Sequence, residues 1–229
     1  MRYLRLAAGQ QRLGSALSSF VRGWPIPGPG SAWASPRCWP PPPPCTATAW
    51  APGRPGPSRA VNGLPDALYP PAWAVMQLGA FGAVPAAAAA AWRAGDGELA
   101  GRLLLGGTGA WAAAKLVKQV VLRPRPVELL PGIRGRGREA AGLGYLSGHA
   151  AVAVALGAAA LPRLGPEGRA LTLTAMPLVG LTGLYVGAHL PLDIAGGAAL
   201  GLAADAAAGL VTSGLRTRCA PGREACAGR

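Results

Sequence analysis

Long stretches without charge are the feature that most constrains this chain. No residue between Trp73 and Trp92 is charged. The stretch has about the roughly 20 residues that a helix needs to cross a hydrocarbon core, and tryptophan at each end is typical of a membrane interface. Four further apolar runs follow, at residues 103–122, 146–161, 170–188 and 194–215. The pattern predicts an all-α integral membrane bundle with about five transmembrane helices.

The segments outside these runs divide the chain into three parts. Residues 1–64 hold a proline run at 40–44 and scattered Gly, Ser and Arg, without apolar periodicity. Such a composition buries too little surface to offset chain entropy. We therefore expect a disordered N-terminal tail over residues 1–64, a membrane domain over residues 65–215 and a polar C-terminal tail over residues 216–229.

The charge content favours a membrane over a nucleic acid as the partner. The chain is 51% hydrophobic and only 14% charged, which is little charge for a soluble protein. Its 22 Lys and Arg outnumber its 9 Asp and Glu, but the arginines are scattered through the tail and the short segments between apolar runs. A nucleic-acid interface usually gathers them on one face. We expect membrane lipids as partners and no nucleic acid.

The two histidines of the chain, His149 and His189, each lie at the edge of an apolar run and close to glycine. Two predicted spans separate them, so both lie on one face of the membrane and can meet in one site. Short arginine-rich loops, which mark the cytoplasmic side, lie on the other face. The sequence therefore predicts a site on the extracytoplasmic side of the cell membrane.

Residues suited to an anion lie near the histidines. Ionisable residues at membrane depth are costly and indicate function. Lys118 and Arg125 are close to two helical turns apart, and two such cations suit a phosphate group. Ser147 and the amide of Gly148, at the start of a helix, add neutral donors for an anion.

His189 is followed by Asp193 at the spacing of a base and the carboxylate that orients it. Each candidate also has a structural explanation of its own. Lys118 suits a helix end with its ammonium extended to the interface, Ser147 is a good helix N-cap, and His189 with Asp193 suits a structural pair one helical turn apart. Their convergence on one face favours the anion site.

Three groups of these residues occur in a fixed order. They are Lys118 with Arg125-Pro126, then Ser147-Gly148-His149, then His189 with Asp193. In order and spacing they resemble the signature motifs of the type 2 phosphatidic acid phosphatase superfamily, which includes lipid phosphate phosphatases, bacterial acid phosphatases and vanadium haloperoxidases. The resemblance covers roughly residues 70–212.

The resemblance implies a helical membrane phosphatase that needs no metal or other cofactor. Its substrate would be a phosphorylated lipid, such as phosphatidate, phosphatidylglycerol phosphate or a polyprenyl phosphate or diphosphate. His189 would attack phosphorus to form a phosphohistidine, Asp193 would orient it, and His149 would protonate the leaving oxygen and then activate water. The residues implied to hold the phosphoryl oxygens are Lys118, Arg125, Ser147 and Gly148.

Two positions depart from the pattern of the family. Leu146 stands where a proline usually precedes the serine, and Gly183 stands where the third motif usually has an arginine. Losing one preorganised contact to a transferring group costs about 2 to 4 kcal/mol. The alternative function is a relative that binds phosphorylated lipid without efficient turnover. Four arginines are candidates to replace the missing cation: Arg123, Arg134, Arg136 and Arg138.

A third hypothesis assigns the charges at membrane depth to transport. Lys118, Asp193 and Asp205 would then form an ion relay. The predicted spans show no visible internal repeat, although many transporters are built from repeats. We therefore favour the phosphatase and interpret Asp205 as a helix-packing or cavity residue.

Overall fold

The computed structural model describes residues 56–138 and 142–218. These residues form a helical bundle with one isolated antiparallel bridge, between Pro124 and Leu143. The prediction of an all-α fold is confirmed for this part of the chain.

The helices are numbered here in chain order over the described ranges. They are α1 (Pro57–Asn62), α2 (Tyr69–Met76), α3 (Ala83–Arg93), α4 (Gly97–Val121), α5 (Pro126–Leu129), α6 (Gly148–Ala160), α7 (Pro166–Tyr185) and α8 (Pro191–Arg218). Single 3-10 turns add Asp66–Leu68, Gln77–Gly79 and Leu161–Arg163.

Helix α4 begins and ends where local chemistry sets its limits. Asp96 caps its start by accepting a hydrogen bond of 2.9 Å from an amide of the first turn. Leu122, with a positive φ of 50°, follows its last residue, and Pro124 cannot continue a helix. This end of α4 brings Lys118 next to the loop that carries Arg125.

Helix α6 is the centre of the bundle and packs against α4, α7 and α8. Small residues allow the close approach, as is usual between helices in membranes. A Cβ on Gly197 of α8 would lie 2.3 Å from the carbonyl oxygen of Ser147, and one on Gly201 would lie 2.4 Å from that of Ala151. The N-terminal halves of α6 and α8, which lie next to two of the three sequence motifs, are therefore held in contact.

The five predicted spans correspond in position to α2 with α3, α4, α6, α7 and α8, but five membrane crossings are not confirmed. By length and composition, one helix in the described ranges, Pro191–Gly214, could cross a membrane. A second crossing is possible if Asp66–Gly79 and Ala83–Arg93, bent by 63°, count as one span. Helix α6 has 13 residues, which at 1.5 Å per residue is about 20 Å. That length is short of a hydrocarbon core of roughly 30 Å.

The predicted tails need correction at their inner ends. Residues 57–62, assigned to the disordered tail, form α1. The buried Asn62 donates hydrogen bonds of 2.8 and 2.9 Å to the carbonyl oxygens of Arg134 and Tyr185. The polar C-terminal tail also begins later, because α8 continues to Arg218. The rest of both predicted tails, residues 1–55 and 219–229, lies outside the described residues.

Arg136 ties α1 to the end of α7. Its buried guanidinium donates to the carboxylate of Asp66 at 2.8 Å and to the carbonyl oxygens of Asn62 and Tyr185 at 2.9 and 2.7 Å. It also lies 4.3 Å from the centre of the Tyr185 ring, a favourable cation–π distance. These contacts brace the turn that follows α7 and leads to His189.

Candidate active site

A cavity of about 490 Å³ lies between the bend that follows α2 and helices α4, α6 and α7. Most of the predicted site residues line it, namely Lys118, Arg125, Ser147, Gly148, His149 and His189. Its other lining residues include Met76, Phe81, Trp111 and Val179. The cavity therefore joins a polar, cationic wall to an apolar one.

Backbone hydrogen bonds join the three segments that carry the motifs. The amide of Gly144 donates to the carbonyl of Arg123 at 2.7 Å, and the amide of Ser147 donates to the carbonyl of Asp193 at 2.9 Å. A Cβ on Gly144 would lie 2.6 Å from the carbonyl oxygen of Pro124. Only glycine fits there without a shift of the backbone, so this position sets how closely the first and second motifs approach.

His189 is buried and is held through its Nδ1, which lies 2.8 Å from the carbonyl oxygen of Gly144. Because a carbonyl oxygen only accepts, Nδ1 is the donor in this hydrogen bond. The other ring nitrogen, Nε2, then carries the lone pair that can attack an electrophile. The structure thus fixes the tautomer of His189 and leaves Nε2 unprotonated.

The carboxylate of Asp193 lies beside His189, as the spacing predicts, but it does not accept a hydrogen bond from the ring. Its Oδ2 lies 3.8 Å from Nδ1, which is too far for a hydrogen bond. This oxygen instead accepts from Nη2 of Arg123 at 2.5 Å and from the amide of Leu190 at 2.6 Å. The reason is local: α8 begins at Pro191, so His189 precedes the helix and does not share a helix face with Asp193. The carbonyl of Gly144 takes the place expected for the carboxylate.

Burial lowers the pKa of His189 below its ordinary value of 6.5, because desolvation disfavours the imidazolium. The carboxylate of Asp193 opposes this effect, and the charges of Lys118 and Arg125 add to it. The lowered pKa favours the neutral imidazole over the imidazolium.

The cationic wall of the cavity combines two cations with the start of α6. Lys118 is half-buried and donates from Nζ to the carbonyl oxygen of Leu143 at 3.2 Å. Arg125 is half-buried at the start of α5. Both side chains face the cavity, so their charges meet there as the spacing predicts.

Ser147 caps α6, as predicted, and its Oγ accepts from the amide of Ala150 at 3.3 Å. Its hydroxyl hydrogen can be donated to another acceptor. Gly148 is the first residue of α6, and amides at this end of a helix lack an intrahelical partner. Helix α6 therefore offers donors and the positive end of its dipole to an anion.

The four arginines considered as replacements for the missing cation do not line the cavity. Arg123 is bound to Asp193, Arg136 to α1, and Arg134 to the carbonyl oxygen of Gly63 at 3.3 Å. Arg138 is exposed. Gly183 itself does line the cavity, and a Cβ there would lie 3.2 Å from Cδ2 of His189.

Sequence reasoning missed one cation that does line the cavity, Lys115. The available signal was its position three residues before Lys118, since residues at this spacing share a helix face. The roles of Gly144 and Arg123 were also missed, because each depends on a contact that is distant in sequence.

One member of the proposed ion relay, Asp205, lies far from Lys118. Asp205 forms a two-point ion pair with Arg102, and both nitrogen–oxygen distances are 2.7 Å. Arg102 lies about 24 Å along α4 from Lys118 at 1.5 Å per residue. Asp205 therefore joins α8 to α4, in agreement with its interpretation as a packing residue.

One protein family matches the part of the chain that holds the site. No curated protein and no solved structure matches the chain significantly. The family model described as the PAP2 superfamily matches residues 100–214, half of the chain and every predicted site residue. The match confirms the resemblance carried by the three motifs. The chain belongs to the PAP2 superfamily.

Proposed function

We propose that this protein is a membrane phosphatase that hydrolyses a lipid phosphomonoester or diphosphate through a phosphohistidine intermediate. Members of the PAP2 superfamily usually hydrolyse phosphoesters, and membership supports a phosphatase-type activity. The observation that carries the proposal is the hydrogen bond from Nδ1 of His189 to the carbonyl of Gly144. It leaves Nε2 as the nucleophile of a cationic cavity.

In the first step, Nε2 of His189 attacks phosphorus, and the bond between phosphorus and the leaving oxygen breaks. His149, in its protonated form, gives its proton to that oxygen. Preorganised donors stabilise the charge on the transferring phosphoryl group. The groups assigned to this role are Lys118, Arg125, Ser147 and the amide of Gly148.

In the second step, His149 takes a proton from water, and the water oxygen attacks the phosphorus of the phosphohistidine. The phosphorus–nitrogen bond breaks, which releases phosphate and returns His189 to its neutral form. The covalent intermediate divides one difficult displacement into two easier ones.

The assignment of a lipid substrate rests on two observations. Helix segment Pro191–Gly214 is long and apolar enough to span a membrane. The cavity also has an apolar wall, which includes Phe81 and Trp111, beside its cationic one.

We assign the site to the extracytoplasmic face, because arginine-rich short loops mark the opposite end of the helices as cytoplasmic.

The test is phosphate release by the full-length protein in detergent. The panel contains short-chain phosphatidate, phosphatidylglycerol phosphate and a prenyl diphosphate, each offered to the wild type and to His189→Ala. We expect turnover of at least one lipid by the wild type and a loss of about 10³-fold or more in the variant. Equal rates for the two proteins would remove the proposed activity.

The covalent intermediate has its own test. With substrate labelled on the transferred phosphate, rapid denaturation should leave acid-labile, alkali-stable label on the wild type and none on His189→Ala. Label that resists acid on the wild type would indicate a different nucleophile.

One observation favours a second candidate function, binding of phosphorylated lipid without efficient turnover. Gly183 lines the cavity where a cation is usual in the family, and none of the four candidate arginines replaces it there. A wild type that binds lipids of the panel but releases phosphate no faster than His189→Ala would support this alternative.

A further inference from the structure

Lys115 occupies a position between the two walls of the cavity. It lies three residues before Lys118 on α4, on the same helix face and about 4.5 Å away along the axis. Trp111 lies about one turn further in the same direction, and all three residues line the cavity. Along this face of α4, the ring of Trp111 is followed by the ammonium of Lys115 and then by that of Lys118, which is assigned to the phosphoryl group.

The apolar end of this row is built from aromatic rings. Phe81 and Trp111 are in tilted contact, with ring centres 4.7 Å apart. Nζ of Lys115 lies 5.5 Å from the centre of the Trp111 ring, within the range of a cation–π contact. The ring holds this ammonium at the cavity wall without neutralising it.

Among the residues that the structure describes, no carboxylate pairs with Lys115. Asp193, the acid nearest to His189, is engaged by Arg123 instead. Lys118 and Arg125 are assigned to a single phosphoryl group. Lys115 is therefore an additional cation in the cavity.

We propose that Lys115 forms a second anion subsite, which binds a phosphate group in the part of the substrate that leaves. The inference rests on the proposed function. With the attacked phosphorus against His189 and Lys118, the next phosphate of a lipid diphosphate lies one step along α4, at Lys115. The hydrocarbon chain continues onto Phe81 and Trp111. A lipid monophosphate offers no second anion at this position.

The subsite acts on the chemical step as well as on binding. When His189 attacks the terminal phosphorus, the bond to the bridging oxygen breaks, and the lipid monophosphate leaves with that oxygen and the proton from His149. Negative charge grows on the leaving phosphate during this step, and Lys115 stabilises it there. Water then releases inorganic phosphate from His189.

The experiment compares farnesyl diphosphate with farnesyl monophosphate, which share one hydrocarbon chain. Both are offered in detergent to the wild type, Lys115→Gln and Lys115→Arg. Arg93→Gln, which removes an exposed charge at the far end of α3, is the matched control. Thermal unfolding in the same detergent confirms that the variants fold.

We expect Lys115→Gln to lower kcat/KM for the diphosphate by about tenfold or more and for the monophosphate by less than about threefold. Lys115→Arg should retain most of the activity on the diphosphate, and Arg93→Gln should match the wild type on both lipids. Equal losses on the two lipids, or no loss on either, would overturn the subsite. So would a wild type that hydrolyses only monophosphates. Turnover of no lipid in any panel would instead remove the proposed function, and the subsite with it.

Discussion

Arg123 donates a hydrogen bond of 2.5 Å to Oδ2 of Asp193, and the two side chains are 18% and 1% exposed. The same oxygen accepts from the amide of Leu190 and lies 3.8 Å from Nδ1 of His189. An ion pair between a buried carboxylate and a partly buried guanidinium thus holds the segment that carries the proposed nucleophile. Arg123 lies two residues before Arg125 of the first motif, and Asp193 belongs to the third motif.

Replacing Arg123 by alanine should impair both stability and turnover. The change leaves a buried carboxylate without its partner, which costs about 3 to 5 kcal/mol in free energy of unfolding. Displacement of the His189 segment should lower kcat by about tenfold to a hundredfold. KM should change little, because Arg123 does not line the cavity. Denaturant unfolding and steady-state kinetics in detergent measure these effects.

Two further variants separate charge from packing at this pair. Arg123→Lys keeps the charge and should retain part of the lost stability. The double variant Arg123→Ala/Asp193→Asn should unfold less easily than Arg123→Ala, since no unpaired buried charge remains. A large rise in KM with unchanged kcat in Arg123→Ala would contradict this account and assign Arg123 to substrate binding.

The sequence predicts those parts of the site that depend on short segments. Ser147 is recognisable as a helix N-cap because it precedes an apolar run, and Lys118 lies on the last turn of a helix that Pro124 must end. The partner of Nδ1 of His189 could not be predicted. It is the backbone carbonyl of Gly144, a group that every residue carries, brought into place by tertiary packing.

The start of the domain could not be predicted for a similar reason. Residues 57–62 belong to a region rich in proline and glycine, and composition alone predicts disorder there. Their order depends on Arg136, which donates to the carbonyl oxygen of Asn62, and on the carbonyl oxygen of Tyr185, which accepts from both Asn62 and Arg136. These contacts join residues more than 40 positions apart, beyond the reach of any local pattern.

Gly144→Ala tests the contact between the first and second motifs. A methyl group would meet the carbonyl oxygen of Pro124 at 2.6 Å, so the loop must shift and carry the acceptor of His189 with it. We expect kcat to fall by about tenfold or more. Gly109→Ala is the matched control, since its Cβ would contact nothing within 4 Å and alanine favours a helix. Equal activity of the two variants would show that the loop accommodates the methyl group.

The Arg102–Asp205 pair should contribute to stability but not to turnover. Arg102→Ala leaves the carboxylate of Asp205, 9% exposed, without its partner, and should lower the free energy of unfolding by about 3 kcal/mol. Arg102→Met/Asp205→Leu, which fills the space with apolar groups, should be close to neutral. At a temperature where all variants are folded, kcat should equal that of the wild type. A selective loss of kcat in Arg102→Ala would return the ion-relay hypothesis to consideration.

The pH dependence of kcat/KM should report the burial of His189. The nucleophile must be neutral, so activity is present above its pKa and falls as the pH drops through it. Because burial lowers this pKa below 6.5, the acid limb should lie below pH 6.5. Ionisation of the substrate phosphate produces a similar limb, so the profile is measured with two lipids whose phosphates differ in pKa. An acid limb at the same pH in both profiles belongs to the enzyme. If that shared limb lay above pH 6.5, it would contradict a desolvated, neutral His189. Asp193→Asn removes the one carboxylate that raises this pKa, so the common limb should move to still lower pH in that variant.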